Sequence, residues 1–463
     1  MNFSRLHSEP EIKMKNHHHS SIAIFVAATL ALSLVNVRAD DATGIAELKK
    51  EMQALREEVA TLKAARPATT DTNTASPADA PAGSSLLSKE FLDAKGLTFG
   101  FYGETKYRFP KSGANSFDAH RYVLTPSYQI ADWLVFNSEL ELEHGGVDES
   151  TERGSRFDGG LEIEQMYVDI LINEHFNIRS LGIDLVPVGR MNLYHEPTTF
   201  YSTERPELYR EIIPTTWMEP SMGVFGKITD TLDYRLQVSA GLEDFNASAS
   251  GAGVTAANGM RNARPRMRGA NENKVATSGR LHFNGIDGLD MSSSFYVSPS
   301  KGFNDQDVTM TLVDVEAVYR VPKTGLELRG DFAAWFIDNP ENLIANNSGT
   351  ATDDVGKRMY GWYAEAAYHF WPEAWRAGRG KEMDFVPFVR YSSITTQAGL
   401  LAGSTELNNG TANRDFVTFG AAWFLTPRFV IKADWRRNLD DSAATATSPA
   451  SQDYVQMGVG LAF

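Results

Sequence analysis

From Leu97 onward the chain alternates apolar and polar residues with a period of two. LTFGFYGETKYRF sets Leu97, Phe99, Phe101 and Tyr107 against Glu104, Lys106 and Arg108. LVFNSELELE sets Leu134, Phe136, Leu140 and Leu142 against Glu139, Glu141 and Glu143. RFVIKADWRRN opposes Phe429, Ile431 and Trp435 to Lys432, Asp434 and Arg436, and YVQMGVGLAF carries Val455, Met457, Val459, Leu461 and Phe463 on one face. Each run reads as a strand with one apolar and one polar side. GLEIEQMYVDILI changes phase near Gln165, which predicts a bulge or a shifted boundary, and DFVPFVRY carries Pro387. The pattern predicts sixteen strands, at roughly 97–109, 119–130, 133–144, 160–172, 182–190, 221–229, 232–243, 274–284, 289–298, 311–321, 324–337, 359–371, 384–396, 414–425, 428–438 and 452–463.

The connections decide the architecture. Short turns follow strands two, six, eight, ten and fourteen, whereas loops of about a dozen residues or more follow three, five, seven, eleven, thirteen and fifteen. The gaps after strands four and twelve are longer than a tight turn. This alternation predicts an all-β transmembrane antiparallel β-barrel over residues 97–463, whose last strand pairs with its first and whose apolar face meets lipid. A soluble β-sandwich would need apolar residues where these strands carry charge. Phe463, ending an alternating strand, resembles the signal read by the bacterial barrel-assembly machinery.

Ahead of the strands the pattern differs. Residues 22–35 (IAIFVAATLALSLV) are apolar, follow Lys13 and Lys15, and precede Val37-Arg38-Ala39. Residues 1–39 therefore read as a signal peptide, with Met14 as an alternative start. In residues 40–65, Ile45, Leu48, Met52, Leu55, Val59 and Leu62 keep heptad spacing, with Glu51 and Glu58 at g and Lys49, Arg56 and Lys63 at e. This is a short coiled-coil helix pairing copies of the chain. Residues 66–96 begin with an Ala, Thr, Pro and Ser run and read as a flexible linker.

Composition then removes whole classes. The 463 residues contain no cysteine, which excludes disulfides, zinc-thiolate sites and thiol nucleophiles. A formal charge of −15 argues against binding nucleic acid. His120, His144, His282 and His369 are scattered without a nucleophile motif, so no enzyme is expected, and no cofactor or metal.

A polar interior predicts a water-filled lumen. The loop between strands five and six, MNLYHEPTTFYSTERPELYREIIPTTWMEP, holds Tyr194, Phe200, Tyr201, Leu208, Tyr209, Ile212, Ile213 and Trp217, too apolar for a solvated loop. Folded inward, it would pack on the wall and form a constriction lined by Arg190, His195, Glu196, Arg205, Glu207, Arg210 and Glu211. Lys106, Arg108, Arg235, Arg329, Lys432 and Arg436 are the basic residues expected on the lumen wall, among acids such as Glu104, Glu139, Glu141, Asp314, Glu316 and Asp331. The lining is mixed, not a one-sign ladder. RNARPRMRG, in the loop after strand seven, clusters Arg261, Arg264, Arg266 and Arg268 as an anion vestibule or a contact for lipopolysaccharide phosphates.

The order signal, heptads, linker and barrel resembles the phosphate-selective porin O and P type of outer-membrane porin. VGRMNLYHEPTTFYSTERPELYREIIPTTWMEPSMGVFGK is similar to that family's stretch from the fifth strand to the sixth, and GWYAEAAYHFWPE to its late strand and turn. The resemblance implies a homotrimeric outer-membrane channel for ions and small hydrophilic solutes, with anion or phosphate preference as a further implication. The alternative is a structural anchor that tethers the envelope through the coiled-coil arm in the periplasm.

Overall fold

The computed structural model describes residues 96–111, 113–146, 159–242, 253–256, 258–264, 275–301, 306–343, 355–404, 406, 412–439 and 453–463. The expected signal peptide, coiled coil and linker up to residue 95 lie outside the described residues. The strands in chain order are β1 (Leu97–Pro110), β2 (Ser116–Ala131), β3 (Leu134–Glu143), β4 (Leu161–Leu171), β5 (Asn177–Leu185), β6 (Met218–Thr229), β7 (Leu232–Ala240), β8 (Gly253–Thr255), β9 (Gly259–Asn262), β10 (Val275–Phe283), β11 (Leu289–Lys301), β12 (Asp307–Arg320), β13 (Leu326–Asp338), β14 (Arg358–Tyr368), β15 (Asp384–Ala398), β16 (Asn413–Thr426), β17 (Phe429–Asn438) and β18 (Tyr454–Ala462). All but β8 and β9 close into one sixteen-stranded antiparallel barrel.

Closure answers the problem of the edges. β18 pairs with β1 from Tyr102↔Ala462 to Pro110↔Tyr454. Phe101 and Phe463 exchange backbone hydrogen bonds of 3.0 and 2.8 Å. Along this paired stretch, the ladder groups that an open edge would leave bare are satisfied inside the sheet. The two-residue period then assigns the faces. Phe332, Phe336, Phe419, Trp435, Val455, Met457 and Val459 are exposed outside, while Asp331, Thr418, Asp434, Arg436 and Gln456 are buried within. An apolar exterior this extensive is stable only against lipid.

Local features depart from the regular alternation, and some of them from the expected strand positions. β5 spans Asn177–Leu185, not 182–190. A register shift between Arg179 and Gly182 hides its alternation, and the apparent continuation through Val186 and Val188 has already left the wall. Placing β5 earlier shrinks the gap before it to residues 172–176, where the Asn173 side chain accepts the N–H groups of His175 and Phe176 at 2.8 and 2.9 Å. The gap at 369–383 stays long and folds into two 3-10 turns, Glu373–Trp375 and Gly378–Glu382. The phase change in β4 is a bulge: Glu139 faces Gln165 but Leu140 faces Ile163, so Glu164 is the extra residue and turns inward. Finally, β8 and β9 form a separate hairpin in the loop after β7, where no strand was expected.

The interior is not polar throughout, which corrects the expectation of a polar interior. Near their loop-side ends, β11 to β15 turn Tyr296, Met310, Leu312, Trp335, Ile337, Met359, Tyr363 and Ile394 inward. The same strands carry Asp314, Glu316, Glu327, Arg329, Asp331 and Glu365 nearer their short-turn ends.

Candidate functional site

Residues 186–217 leave the wall after β5, fold within the barrel and return at β6. The loop closes at its base, where Val186 N–H donates to Trp217 O at 2.9 Å. Asn192 stitches the same base from inside: its amide nitrogen donates to Val186 O at 2.9 Å and its oxygen accepts Trp217 N–H at 2.7 Å. Gly189 sits at φ 71°, and a Cβ there would lie 2.7 Å from the Tyr209 ring and 2.9 Å from Ile213. Only glycine fits this left-handed position against the returning chain. Two short helical turns follow, α1 (Arg190–Leu193) and α2 (Leu208–Glu211).

The returning half of the loop is held by apolar contact. Leu208, Tyr209, Ile212, Ile213 and Trp217 are buried in one cluster with Tyr296, Met310, Leu312, Trp335, Met359, Tyr363 and Ile394. Trp217 lies 4.6 Å from Tyr296, ring to ring, and Trp335 Nε1 donates to Ile212 O at 2.7 Å. Val254, Met260 and Ala263 of the β8–β9 hairpin join this cluster. Tyr194, by contrast, is only half-buried.

The outgoing half is held mainly by charge and hydrogen bonds, with the buried Tyr201 ring also packed on Phe388 and Phe424. Glu204 bridges Lys106 at 3.1 Å and Arg108 at 2.7 Å. Lys432 Nζ donates to Ser202 O at 3.0 Å and sits 3.5 Å from the centre of the Phe200 ring. Arg390 donates to Ser202 Oγ at 2.6 Å, and Asp434 accepts Thr203 N–H at 2.6 Å. Arg329 donates to Thr199 O at 2.8 Å, Tyr201 Oη to Glu327 at 2.8 Å, and Arg436 pairs with Glu207 at 3.4 Å. Burial raises the Glu204 carboxyl, but Lys106, His120 and Arg108 outweigh it and hold the group well below the usual carboxylate range. Glu207 behaves alike: burial raises it, and Arg390 and Arg436 bring it below its ordinary value. At Arg205, burial and the neighbouring Arg121 both act against the charge and lower the guanidinium.

The residues proposed for a constriction thus fall into different surroundings. Arg190 pairs with Asp290 at 2.9 Å, while its N–H donates to Glu316. Glu196 is buried, Glu211 is buried 3.6 Å from Arg414, and Arg210 is exposed. His195 is buried against Tyr102, with its backbone oxygen accepting from Arg121 at 2.5 Å. Of the basic wall residues, Lys106, Arg108, Arg329, Lys432 and Arg436 face inward and end on the loop. Arg235 ends at the loop's base, on Asp184 and, at 2.8 Å, on Leu185 O. In the expected vestibule, Arg264 donates to the Thr216 and Arg261 carbonyls, which ties the hairpin to the loop. Arg266 and Arg268 lie outside the described residues. Phe463 is on the outer face, its ring 5.3 Å from that of Phe101. Tyr102, Arg121 and Glu164 take part in holding the loop but carry no distinctive sequence signal, except the phase change that marks the bulge.

No family model matches the chain. An uncharacterized protein of Aquifex aeolicus is 29% identical over 366 residues, which cover 76% of this chain and 77% of that one. Among solved structures, Salmonella typhi OmpF, in complex with daunomycin, superposes with a TM-score of 0.50 at 14% identity, covering 80% of this chain and 99% of that one. The outer-membrane channel DcaP of Acinetobacter baumannii gives 0.49 at 11% identity, covering 79% and 97%. The likeness to OmpF is one of fold.

Proposed function

We propose that the chain is an outer-membrane porin: a water-filled channel for passive diffusion of ions and small hydrophilic solutes, with residues 186–217 setting its bore. The carrying observation is a closed barrel, apolar outside and charged inside, that holds one long loop across its interior. An anchor alone would gain from an apolar core, because each buried charge carries a desolvation cost. Charged side chains also remain partly open to water toward both ends. Arg190 and Asp290 lie on one side, and Arg108 and Glu204 on the other.

The membership in the phosphate-selective O and P type, the homotrimer, contact with lipopolysaccharide and a periplasmic arm belong to the same proposal. Strong phosphate preference is its weakest element. Lys106, Arg108, Arg235, Arg329 and Arg436 each have a carboxylate partner, so no unbalanced basic ring stands out among the described residues. A channel with weak charge selectivity fits this balanced lining better. The test is to reconstitute the purified chain in planar bilayers and in sugar-loaded liposomes. Discrete conductance steps and solute-size-dependent swelling are expected, with a small reversal potential in a salt gradient. A silent bilayer together with sugar-tight liposomes overturns the reading in favour of an anchor.

A further inference from the structure

We propose that Glu139, Glu164 and His195, beside Tyr102, form a binding site for a divalent transition-metal cation of the zinc class, which fastens the start of the loop to the wall. Glu139 belongs to β3, Glu164 to β4, Tyr102 to β1 and His195 to the loop, so an ion here would join three strands to residues 186–217. All four side chains are buried. The inference does not depend on whether the barrel conducts.

The histidine is already set for a ligand. Its Nδ1 lies 3.1 Å from Asn192 O, and a carbonyl can only accept, so Nδ1 carries a proton; in the neutral ring Nε2 then presents its lone pair to the two carboxylates. A carbonyl on the far ring nitrogen is the usual support of a metal-binding histidine. Nε2 lies 3.9 Å from Glu139 Oε1 and 3.7 Å from Glu164 Oε2, and one ligand atom from each residue lies within 4.8 Å of the others. Two ligands bound at zinc distances stand at most about 4.4 Å apart. The histidine–carboxylate spacings already meet that limit.

The proton inventory is short. Tyr102 Oη approaches Glu139 Oε1 at 2.5 Å, His195 Nε2 at 2.8 Å and Glu164 Oε2 at 3.4 Å, and Gln165 Nε2 donates to Glu139 Oε2. One hydroxyl proton cannot serve three acceptors, and Gln165 reaches only Glu139. Glu164 is fully buried, its Oε1 meets no N–H donor, and its nearest further neighbour is another carboxyl, Glu141. Arg121 directs Nε to Glu104 at 2.9 Å and Nη2 to the His195 carbonyl. The bulge in β4 adds an independent sign. An extra residue interrupts the ladder, and here that residue is Glu164, turned inward beside Glu139. The mixed nitrogen and carboxylate set suits zinc better than calcium or magnesium. The all-oxygen group of Asp314, Glu316 and Asp331 differs, being served by Ser294, Arg280 and Tyr209.

The test uses the full chain, folded in detergent and stripped with a chelator, with His17, His18 and His19 replaced by Ala in every sample. Cobalt(II) is titrated by visible absorption and zinc by calorimetry. The wild-type sequence should bind an equivalent whose cobalt form shows ligand-field bands of low coordination number. His195→Ala and Glu164→Gln should each lose that equivalent. His144→Ala, which disrupts the separate Asp118, His120 and His144 group, should keep it. Equal stoichiometry and spectra in wild type and His195→Ala would mean that protons alone hold this cluster together. His195 lies on the loop, so heat-modifiable migration should confirm that His195→Ala still forms the barrel, and that variant decides if Glu164→Gln fails to fold.

Discussion

Residues 195–207 and 208–217 belong to one loop, yet polar contacts dominate the hold on the first and apolar contacts the hold on the second. The second stretch buries Leu208, Ile212, Ile213 and Trp217 among aromatic and aliphatic wall residues. Burying a side chain of this kind contributes about 1.5–3 kcal/mol, little affected by salt. The first stretch is tied by ion pairs and hydrogen bonds to β1, β13, β15 and β17. Partly exposed pairs contribute only about 0–1 kcal/mol, and buried ones repay much of their own desolvation. The apolar half therefore fixes where the loop lies, while the polar half decides what charge it presents.

Loop deletion should break this comparison most strongly. Removing residues 196–212 deletes anchors of both kinds and should raise single-channel conductance substantially. Removing residues 400–410, in the loop between β15 and β16, should leave it near wild type. Equal conductance in both variants would show that residues 186–217 do not set the bore.

A single substitution in the apolar half comes next. Trp217→Ala removes the side chain packed on Tyr296 and Trp335 and should cost about 3–5 kcal/mol of loop anchoring. The expected signs are noisier, larger conductance and earlier proteolysis within residues 186–217. Unaltered traces and protease resistance would place the anchor elsewhere.

Charge changes in the polar half should have smaller effects. Glu204→Gln releases Lys106 and Arg108 and should move the reversal potential toward anions, with a coupling of about 1 kcal/mol or less for a carboxylate still partly open to water. The pH dependence has a definite sign. Because the Glu204 carboxyl is held below its ordinary range, its clamp is complete above about pH 4.3 and is lost only as pH falls through the lower folded value. Between pH 7 and about 5, the difference in selectivity between wild type and Glu204→Gln should stay constant, and further acidification should close it. A transition near neutral pH that vanishes in Glu204→Gln would contradict this assignment.

The smallest change is expected from Arg264→Glu, which loosens the hairpin's tie to Thr216 and reverses a charge facing the loop. Its effect on conductance should appear at low salt and fade at high salt, where the screening length falls to about 3 Å at 1 M. A salt-independent effect would instead point to displacement of the β8–β9 hairpin.

Much of this was legible before any tertiary contact. Period-two alternation gave the barrel strands, because lipid outside and polar groups inside force a change of character at each residue. It failed where a bulge shifts the phase, as between Arg179 and Gly182, since alternation is readable only while the pleat is unbroken. The apolar content of residues 194–217 signalled an inward loop. It could not signal the β8–β9 hairpin, whose few buried residues, Val254, Met260 and Ala263, find their cluster only through the loop.

The sequence by itself determined that the chain forms a closed barrel and where most of its strands run, because both follow from local alternation wherever the pleat is unbroken. Tertiary structure alone decided what the inward residues do. Lys106 and Glu204 are 98 positions apart, and Lys432 and Ser202 are 230. No local pattern encodes such pairings. They arise when a closed wall brings distant strands around one loop, and there charges that suggest an open lining become the clamps that hold residues 186–217 in place.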